Sequence, residues 1–427
     1  MNRLLKIFTD FAALKGIDGS AHIVGGAVRD LLLNNDLKDV DIAVKGDAVS
    51  IAKKFASQTG SSFVLLDGDF GIARVVNGYE YLDICAMRGD TIYTDLSERD
   101  ITINAMAILF KDSHESGVMS QENVIDPYNG RDDLRNKIVR MVSEKNLVDD
   151  PLRVLRVYRF AATLNFSIET NTLDAVKRLA PMITTVAAER IAEELRHILR
   201  LDNSFLTVKE MADDGILKHL FPETEKDKWE QTYAYIEKIL NDLPFYFSDH
   251  AVHISEYLGP DYRKACLKFS SFFSSPIDAL NASMRLKMSG KETDFIHKIA
   301  INRAVIPRLN NETGGRLDKL KSIRLLKEFQ DDIYPLLITG IALSPVAQQQ
   351  IMGFCAAILD LYHGEIKQKI SRLPLVTGDD LIKEFNLKPS PLFKEILTRI
   401  DDMFMEGEIN SREEALKKVE ELIKTLT

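Results

Sequence analysis

Two aspartates one residue apart, Asp39 and Asp41, stand a short way downstream of a glycine pair, Gly25-Gly26. Ile23 and Val24 close a short apolar run, so the glycines fall where a strand turns into a helix opened by Arg29-Asp30. Backbone N–H groups at a helix start, with no Cβ in the way, can approach a triphosphate closely. On the next strand, period-2 geometry sends Asp39 and Asp41 to the same face. Two adjacent carboxylates repel each other, and a divalent cation is the usual reason to keep them together. The expectation is nucleotide chemistry, with Gly25, Gly26 and Arg29 on the phosphates and Asp39 and Asp41 holding two Mg²⁺ ions. The plainer readings are a common glycine turn and a solvated strand end.

Further groups suit the same chemistry. Asp83, on a later strand, is the candidate third carboxylate, whereas Asp67 and Asp69 read as turn residues around Gly68. In Glu98-Arg99-Asp100-Ile101-Thr102-Ile103-Asn104-Ala105, Arg99 can grip a phosphate as a fork, and Asp100 and Asn104 suit sugar hydroxyls. A capped amphipathic helix accounts for Thr102 and Ala105 but leaves Arg-Asp-x-x-x-Asn unexplained. Pro151 suits the first position of a helix, with Asp149 or Asp150 near its cap. Asp150 and Arg153, three apart, are then expected to share a helix face. They offer an acceptor beside a donor fork. Cytosine and adenine both present an amino donor next to a ring acceptor, and uracil and guanine present the reverse. Such a pair admits C and A, and rejects U and G by leaving buried groups unpaired. Arg156 and Arg159 either reach phosphates or lie as solvated helix arginines.

Together these segments resemble the class II nucleotidyltransferases, the family of tRNA CCA-adding, CC-adding and A-adding enzymes and bacterial poly(A) polymerases. Gly25 to Asp41 resembles the active-site signature, and Asp83 the acid that precedes a Phe/Met-Arg pair, here Met87-Arg88. Residues 98–105 resemble Arg-Arg-Asp-Phe-Thr-Ile-Asn-Ala, departing at Glu98 and Ile101. Asp126-Pro127 to Asp133-Leu134 resembles the element that joins head to neck. Asp150 and Arg153 resemble the base reader, and Ala187 to Leu195 a neck helix whose Arg and Glu brace it. The resemblance implies an α+β fold: a nucleotidyltransferase head of mixed β-sheet with helices (1–138), a helical neck for base recognition (139–205), a helical body (206–330) and a helical tail that binds tRNA (331–427). It implies transfer of C, A or both from CTP and ATP to the tRNA 3′ end. Asp39, Asp41 and Asp83 would be catalytic, with Gly25, Gly26, Arg29, Arg99, Asp100, Asn104, Asp150, Arg153, Arg156 and Arg159 binding nucleotide.

Within the family, full CCA-adding members carry a long flexible loop between the third carboxylate and the Arg-Asp motif. Here only the ten residues Gly89 to Glu98 separate Arg88 from Arg99, which points to CC addition. A-adding and full CCA-adding activities stay open, as does a tRNA-binding protein without catalysis. A small-molecule nucleotidyltransferase would not need the base reader, and a poly(A) polymerase usually has a basic C-terminal extension that Glu413 to Leu422 does not provide.

The elements that must position these residues follow from alternation and helical spacing. Strands are expected at Ala21–Val24, Val40–Val44, Ser62–Leu66, Ile72–Val76 and Tyr79–Ala86, and helices at Ala27–Leu33 and Asp47–Thr59. Beyond about Asp126 nearly every segment reads at helical period, with turns at Leu243-Pro244, Gly259-Pro260, Gly314-Gly315 and Lys388-Pro389. The 427 residues carry a net charge of −9, which argues against non-specific coating of nucleic acid. A local basic face between Arg263 and Lys327 remains a candidate RNA contact. Cys85, Cys266 and Cys355 read as reduced core thiols of a cytoplasmic protein. No apolar run approaches a membrane span, and no signal-peptide cleavage pattern is present. His250 and His253 beside Asp249 have metal-ligand spacing, which chance also produces on a surface.

Overall fold

The computed structural model describes residues 3–37, 39–111, 123–259 and 262–426, so Pro260 of the expected Gly259-Pro260 turn lies outside the described residues. The chain divides into two compact units, Met1–Glu223 with Arg285–Lys287, and Thr224–Met284 with Met288–Thr427.

The first unit opens with α1 (Arg3–Leu14), β1 (Ala21–Val24), α2 (Gly26–Leu32), β2 (Asp39–Val44) and α3 (Ala48–Thr59). It continues through β3 (Ser62–Asp67), β4 (Ile72–Asn77), β5 (Glu80–Ala86), α4 (Ile92–Ser97), β6 (Ala107–Leu109) and β7 (Val124–Ile125). Each expected strand and helix is present with its ends within one residue. The alternation-based reading passes over α1, although Leu4, Leu5, Phe8, Phe11 and Ala12 recur at helical spacing and are all buried. The strands form one mixed sheet in the order β3-β4-β5-β2-β1-β6-β7. Within it β2 and β5 are parallel, and every other neighbouring pair is antiparallel.

Alternation gives this sheet two different faces. Val40, Ile42 and Val44 of β2, Leu82 and Ile84 of β5 and Ala73 and Val75 of β4 join Phe8, Phe55 and Phe110 in the main core of the unit. Phe8 meets Phe55 edge-on with ring centroids 5.0 Å apart, the favoured aromatic geometry. The other face carries Asp39 and Asp41 of β2, Tyr81 and Asp83 of β5 and Arg74 of β4. It also carries Val24 and Ala43, which pack under Ile92 and Leu96 of α4 in a second small core.

The unit continues with α5 (Gly130–Arg135), and the stretch 139–205, expected to be helical, holds α6 (Glu144–Asp149), α7 (Arg153–Leu164), α8 (Thr170–Leu179) and α9 (Ala188–Leu199). It is not wholly helical: β8 (Ile138–Val139) and β9 (Ser167–Ile168) form a two-residue parallel ladder. The Asp126 carboxylate accepts from the backbone N–H groups of Gly130 and Arg131 at 2.7 and 2.9 Å, satisfying donors that a helix start leaves unpaired. A Cβ on Gly130 would sit 2.4 Å from the Thr102 carbonyl oxygen, and backbone at that distance must move. Gly130→Ala is expected to destabilise the first unit by about 1–3 kcal/mol, read as a lowered denaturation midpoint.

The second unit is helical throughout its described residues. Its centre is the fully buried apolar helix Ile333–Ala342, and a separate cluster from Leu375 to Leu422 forms the core of the last three helices. The Gly314-Gly315 turn is present; Lys388-Pro389 lies in a bent link between two helices without a turn, and Leu243-Pro244 begins the helix Leu243–Phe247 instead of a turn. Several basic residues of the face expected between Arg263 and Lys327 are paired with acids. Lys268 is buried against Glu237 at 2.7 Å, and Lys298, Lys321 and Lys327 pair with Asp332, Glu312 and Asp402. Arg285 and Lys287 belong to the first unit, where they pair with Glu223 and Glu189. His250 and His253 stack on His363, and among the described residues no group of three or more His, Cys, Asp or Glu could hold a metal. Cys85, Cys266 and Cys355 form no disulfide. No helix of the described residues is long and apolar enough to cross a membrane.

Candidate active site

A cavity of about 420 Å³ opens in the first unit. Twelve of the thirteen residues singled out from the sequence line it: Gly25, Gly26, Arg29, Asp39, Asp41, Arg99, Asp100, Asn104, Asp150, Arg153, Arg156 and Arg159. Asp83 does not line it. In the sheet register Asp83 lies beside Asp41, but both its oxygens are held by Arg74, Nε to Oδ1 at 2.7 Å and Nη2 to Oδ2 at 2.8 Å.

Asp39 and Asp41 share a face as expected, and the electrostatics there oppose two bare carboxylates. Burial pushes the Asp41 carboxyl above its usual range; Arg99 pulls it down, while Asp83 and Asp39 add to the rise. A cation relieves that repulsion. The donors present suit a hard divalent ion such as Mg²⁺, which binds readily through one or two carboxylates and the phosphate oxygens of a substrate.

Gly25 turns the chain from β1 into α2 with φ +70°, a region that favours glycine. A Cβ there would lie 3.5 Å from Arg99 Nη1 and 3.6 Å from Asp41 Oδ2. Such a Cβ would lie in van der Waals contact with the Arg99 guanidinium on one side and the Asp41 carboxylate on the other. Arg29 is fixed by a fork to Asp30 at 2.9 Å and by donation from Nη1 to Asn104 Oδ1 at 2.8 Å. Arg99 is held on the opposite side by Asp95, Nη2 to Oδ2 at 2.7 Å. Asp95 is 1% exposed, and it also accepts from the Arg88 backbone N–H at 3.0 Å. Between Arg88 and Arg99 the chain is therefore a short helix, α4, pinned at both ends by one buried carboxylate.

The neck supplies the rest of the lining. Asp150 is not on a helix face: it is extended and ends α6 (φ −137°, ψ 91°), and Pro151 lies in the turn before α7 instead of at its first position. The restriction on the residue before proline keeps Asp150 out of the helical region. Asp150 and Arg153 still approach across that turn, Oδ2 to Nε at 3.9 Å. Arg190 of α9 donates to Asp150 at 2.9 Å. Burial lowers the Arg153 pKa, and Asp100 and Asp150 act in the opposite sense. Arg159 and Arg156 bind Glu194 of α9 at 2.6 and 3.4 Å, and Phe160 beneath them takes three guanidinium contacts, from Arg29, Arg156 and Arg159. Of the glutamates of this helix, Glu194 takes the bracing position, while Glu189 and Glu193 pair with Lys287 and Arg196 on the surface.

Asp100 is buried, with its oxygens engaged by Arg156 at 2.7 Å and by the Ile101 N–H at 2.9 Å. Burial raises its carboxyl, but the Arg156 charge and hydrogen bonds outweigh that and leave it at about 2. The folded-state pKa is below the unfolded one, so this pairing adds stability above about pH 4 that is lost as pH falls through about 2. The contribution is about 2 kcal/mol. Denaturant titrations at pH 5 and pH 2 are expected to show the wild type losing about that much more than Asp100→Asn.

The spacing of Asp95, Arg74 and Phe160 does not mark them, because Asp95 and Arg74 act through partners that only the fold brings to them and Phe160 reads as a core residue of its helix. Arg88 is marked in the sequence only as part of the Met87-Arg88 pair.

Residues 21–140 match a family model described as the poly A polymerase head domain, and residues 348–419 match one described as tRNA nucleotidyltransferase domain 2. A CC-adding tRNA nucleotidyltransferase of Synechocystis sp. is 31% identical over 413 residues, 95% of this chain and 94% of that protein. The chain belongs to the tRNA nucleotidyltransferase family. An A-adding member of the family from Halalkalibacterium halodurans is 26% identical over 92% of this chain and 87% of its own. Among solved structures, a CCA-adding enzyme in complex with ATP has a TM-score of 0.69 at 22% identity, covering 100% of this chain and 96% of that one. The Thermotoga maritima CCA-adding enzyme complexed with tRNA has a TM-score of 0.64 at 24% identity, covering 98% and 95%. These structures share the fold, a mixed sheet followed by a mostly helical remainder. Members of the family generally use divalent metal ions.

Proposed function

We propose that this protein adds two cytidylates to the 3′ end of tRNA in the cytoplasm, using CTP and two Mg²⁺ ions. The observation that carries the reading is the gathering of carboxylates, arginines and a base-sized acceptor–donor pair into one cavity. Asp39 and Asp41 would hold the metal. When bound, the ions activate the primer 3′-hydroxyl and neutralise the departing pyrophosphate. Arg29 and Arg99, each clamped by its own carboxylate, present preset donors to the triphosphate over Gly25 and Gly26. Asn104, fixed by Arg29, is placed for the sugar, while Asp100 anchors Arg156. Asp150 accepts from the cytosine amino group and Arg153 donates to its ring. Arg190 and Glu194 hold these two helices in register. Asp83 contributes charge beside Asp41, with its oxygens taken by Arg74. The helical residues that follow bind the tRNA by shape and phosphate contacts, in the head, neck, body and tail division given above.

The preference for CC addition rests on α4. Asp95 closes the Arg88–Arg99 connection into a short rigid helix, and a site that must change from C to A needs movable parts there. The names of the Synechocystis and Geobacter sulfurreducens relatives, both CC-adding, support the same choice. The test supplies purified protein with Mg²⁺, CTP and ATP, separately and together, and tRNAs lacking CCA or ending in CC. Two C residues and then a stop are expected. Completion to CCA, addition of A alone to the CC-ended tRNA, or a long A tail would each replace this reading by another member of the family. Tight tRNA binding without incorporation would remove catalysis altogether.

A further inference from the structure

We infer that Tyr81 and Arg74 position the carboxylate of Asp39, an inference that rests on the metal reading of Asp39 and Asp41. The placement follows from register alone. Across β4 and β5 Arg74 lies opposite Asp83, and across β5 and β2 Tyr81 lies opposite Asp39 and Asp83 opposite Asp41. Paired residues of neighbouring strands point to the same face, so these five side chains form one patch on the side of the sheet away from the main core.

The contacts within the patch run in one direction. Arg74 forks both oxygens of Asp83 at 2.7 and 2.8 Å. The same guanidinium lies over the Tyr81 ring, 4.0 Å from its centroid. The Tyr81 hydroxyl donates to Asp39 Oδ1. Asp39 is the first residue of β2 and is solvent-exposed, and the Tyr81 hydroxyl is the hydrogen-bond partner that the described residues give its side chain. A hydrogen bond to one oxygen fixes the carboxylate plane and leaves the second oxygen to the cavity, the service that groups behind a metal ligand commonly perform. A planar guanidinium can fork a carboxylate and stack on a ring at once, and an ammonium cannot. Asp83 thus acts on the site through Arg74 and Tyr81, as a positioning residue with two residues between it and Asp39. An ordinary cross-strand ion pair beside an ordinary tyrosine would have no effect on metal affinity.

The experiment titrates Mn²⁺ into the full-length protein with α,β-methylene-CTP, follows free Mn²⁺ by EPR and subtracts a titration of the nucleotide alone. The variants are Tyr81→Phe, Arg74→Lys, their double and Asp41→Asn, each with its melting temperature. Asp41→Asn is expected to lose the protein-dependent Mn²⁺ binding. Tyr81→Phe and Arg74→Lys are each expected to weaken it by about 10-fold, and the double variant by no more than the stronger single one. Tyr81→Phe keeps the ring under Arg74, so it decides the matter even where Arg74→Lys fails to fold. Unchanged Mn²⁺ affinity in Tyr81→Phe, with Asp41→Asn defective, overturns the positioning role and leaves the metal reading standing. Single effects that simply add would separate Arg74 from Tyr81 and overturn the relay. Binding as tight in Asp41→Asn as in the wild type would sink the metal reading, and this inference with it.

Discussion

Asp41→Asn is expected to reduce nucleotide incorporation by roughly 1,000-fold or more, about 4 kcal/mol of barrier, and to leave the protein folded. The amide keeps the shape of the side chain but cannot hold a cation as a carboxylate does. The same change relieves strain in the free protein, since burial and the neighbouring Asp83 and Asp39 all disfavour the charge on Asp41. Its melting temperature should therefore match or exceed that of the wild type, by an amount equivalent to about 0.5–2 kcal/mol. Activity and stability moving in opposite directions is the signature of a functional charge. Incorporation assays on a tRNA lacking CCA, with tRNA affinity measured alongside, check both halves. A variant that retains more than a tenth of wild-type turnover would remove Asp41 from the chemistry.

The second large effect concerns base choice. The Asp150 carboxylate offers acceptors and no donor, and its Oδ2 is already shared with Arg190 at 2.9 Å. An asparagine there keeps one acceptor for Arg190 and adds a donor, which suits the carbonyl of uracil in place of the amino group of cytosine. Rejection by an unpaired buried group is a strong filter, and its removal is correspondingly large. Asp150→Asn is expected to raise the UTP-to-CTP ratio of kcat/KM by roughly 100-fold, with CTP use falling. Competition between CTP and UTP on one primer measures this, and an unchanged ratio would show that Asp150 does not read the base.

The head of the molecule was legible because its signals are local. Strand alternation placed β1 to β5 within one residue, and the same alternation put Asp39 and Asp41 on one face. The cavity gathers twelve named residues for a related reason: several of them, among them Gly25, Gly26, Asp39, Asp150 and Arg153, sit at element ends, where side-chain type and turn chemistry are tied together. What escaped the sequence depends on pairings across the fold. Asp95 looks like any acid in a short polar stretch until α4 folds it under Arg99. Asp150 looked helical because its spacing to Arg153 is helical, and only the turn at Pro151 separates them. The basic stretch from Arg263 onward read as a surface because charge counts cannot see that Lys268 finds Glu237 inside a core.

The two faces of β2 have a consequence for how such a chain can change through time. Val40, Ile42 and Val44 build the core, and Asp39 and Asp41 alternate with them toward the cavity. Slipping the pairing of this strand by one residue would turn every side chain to the opposite face. The carboxylates would then enter the aromatic core around Phe8 and Phe55, and the valines would face the nucleotide. Catalysis and folding are thus written in alternate letters of one word, and a single frame slip there erases both.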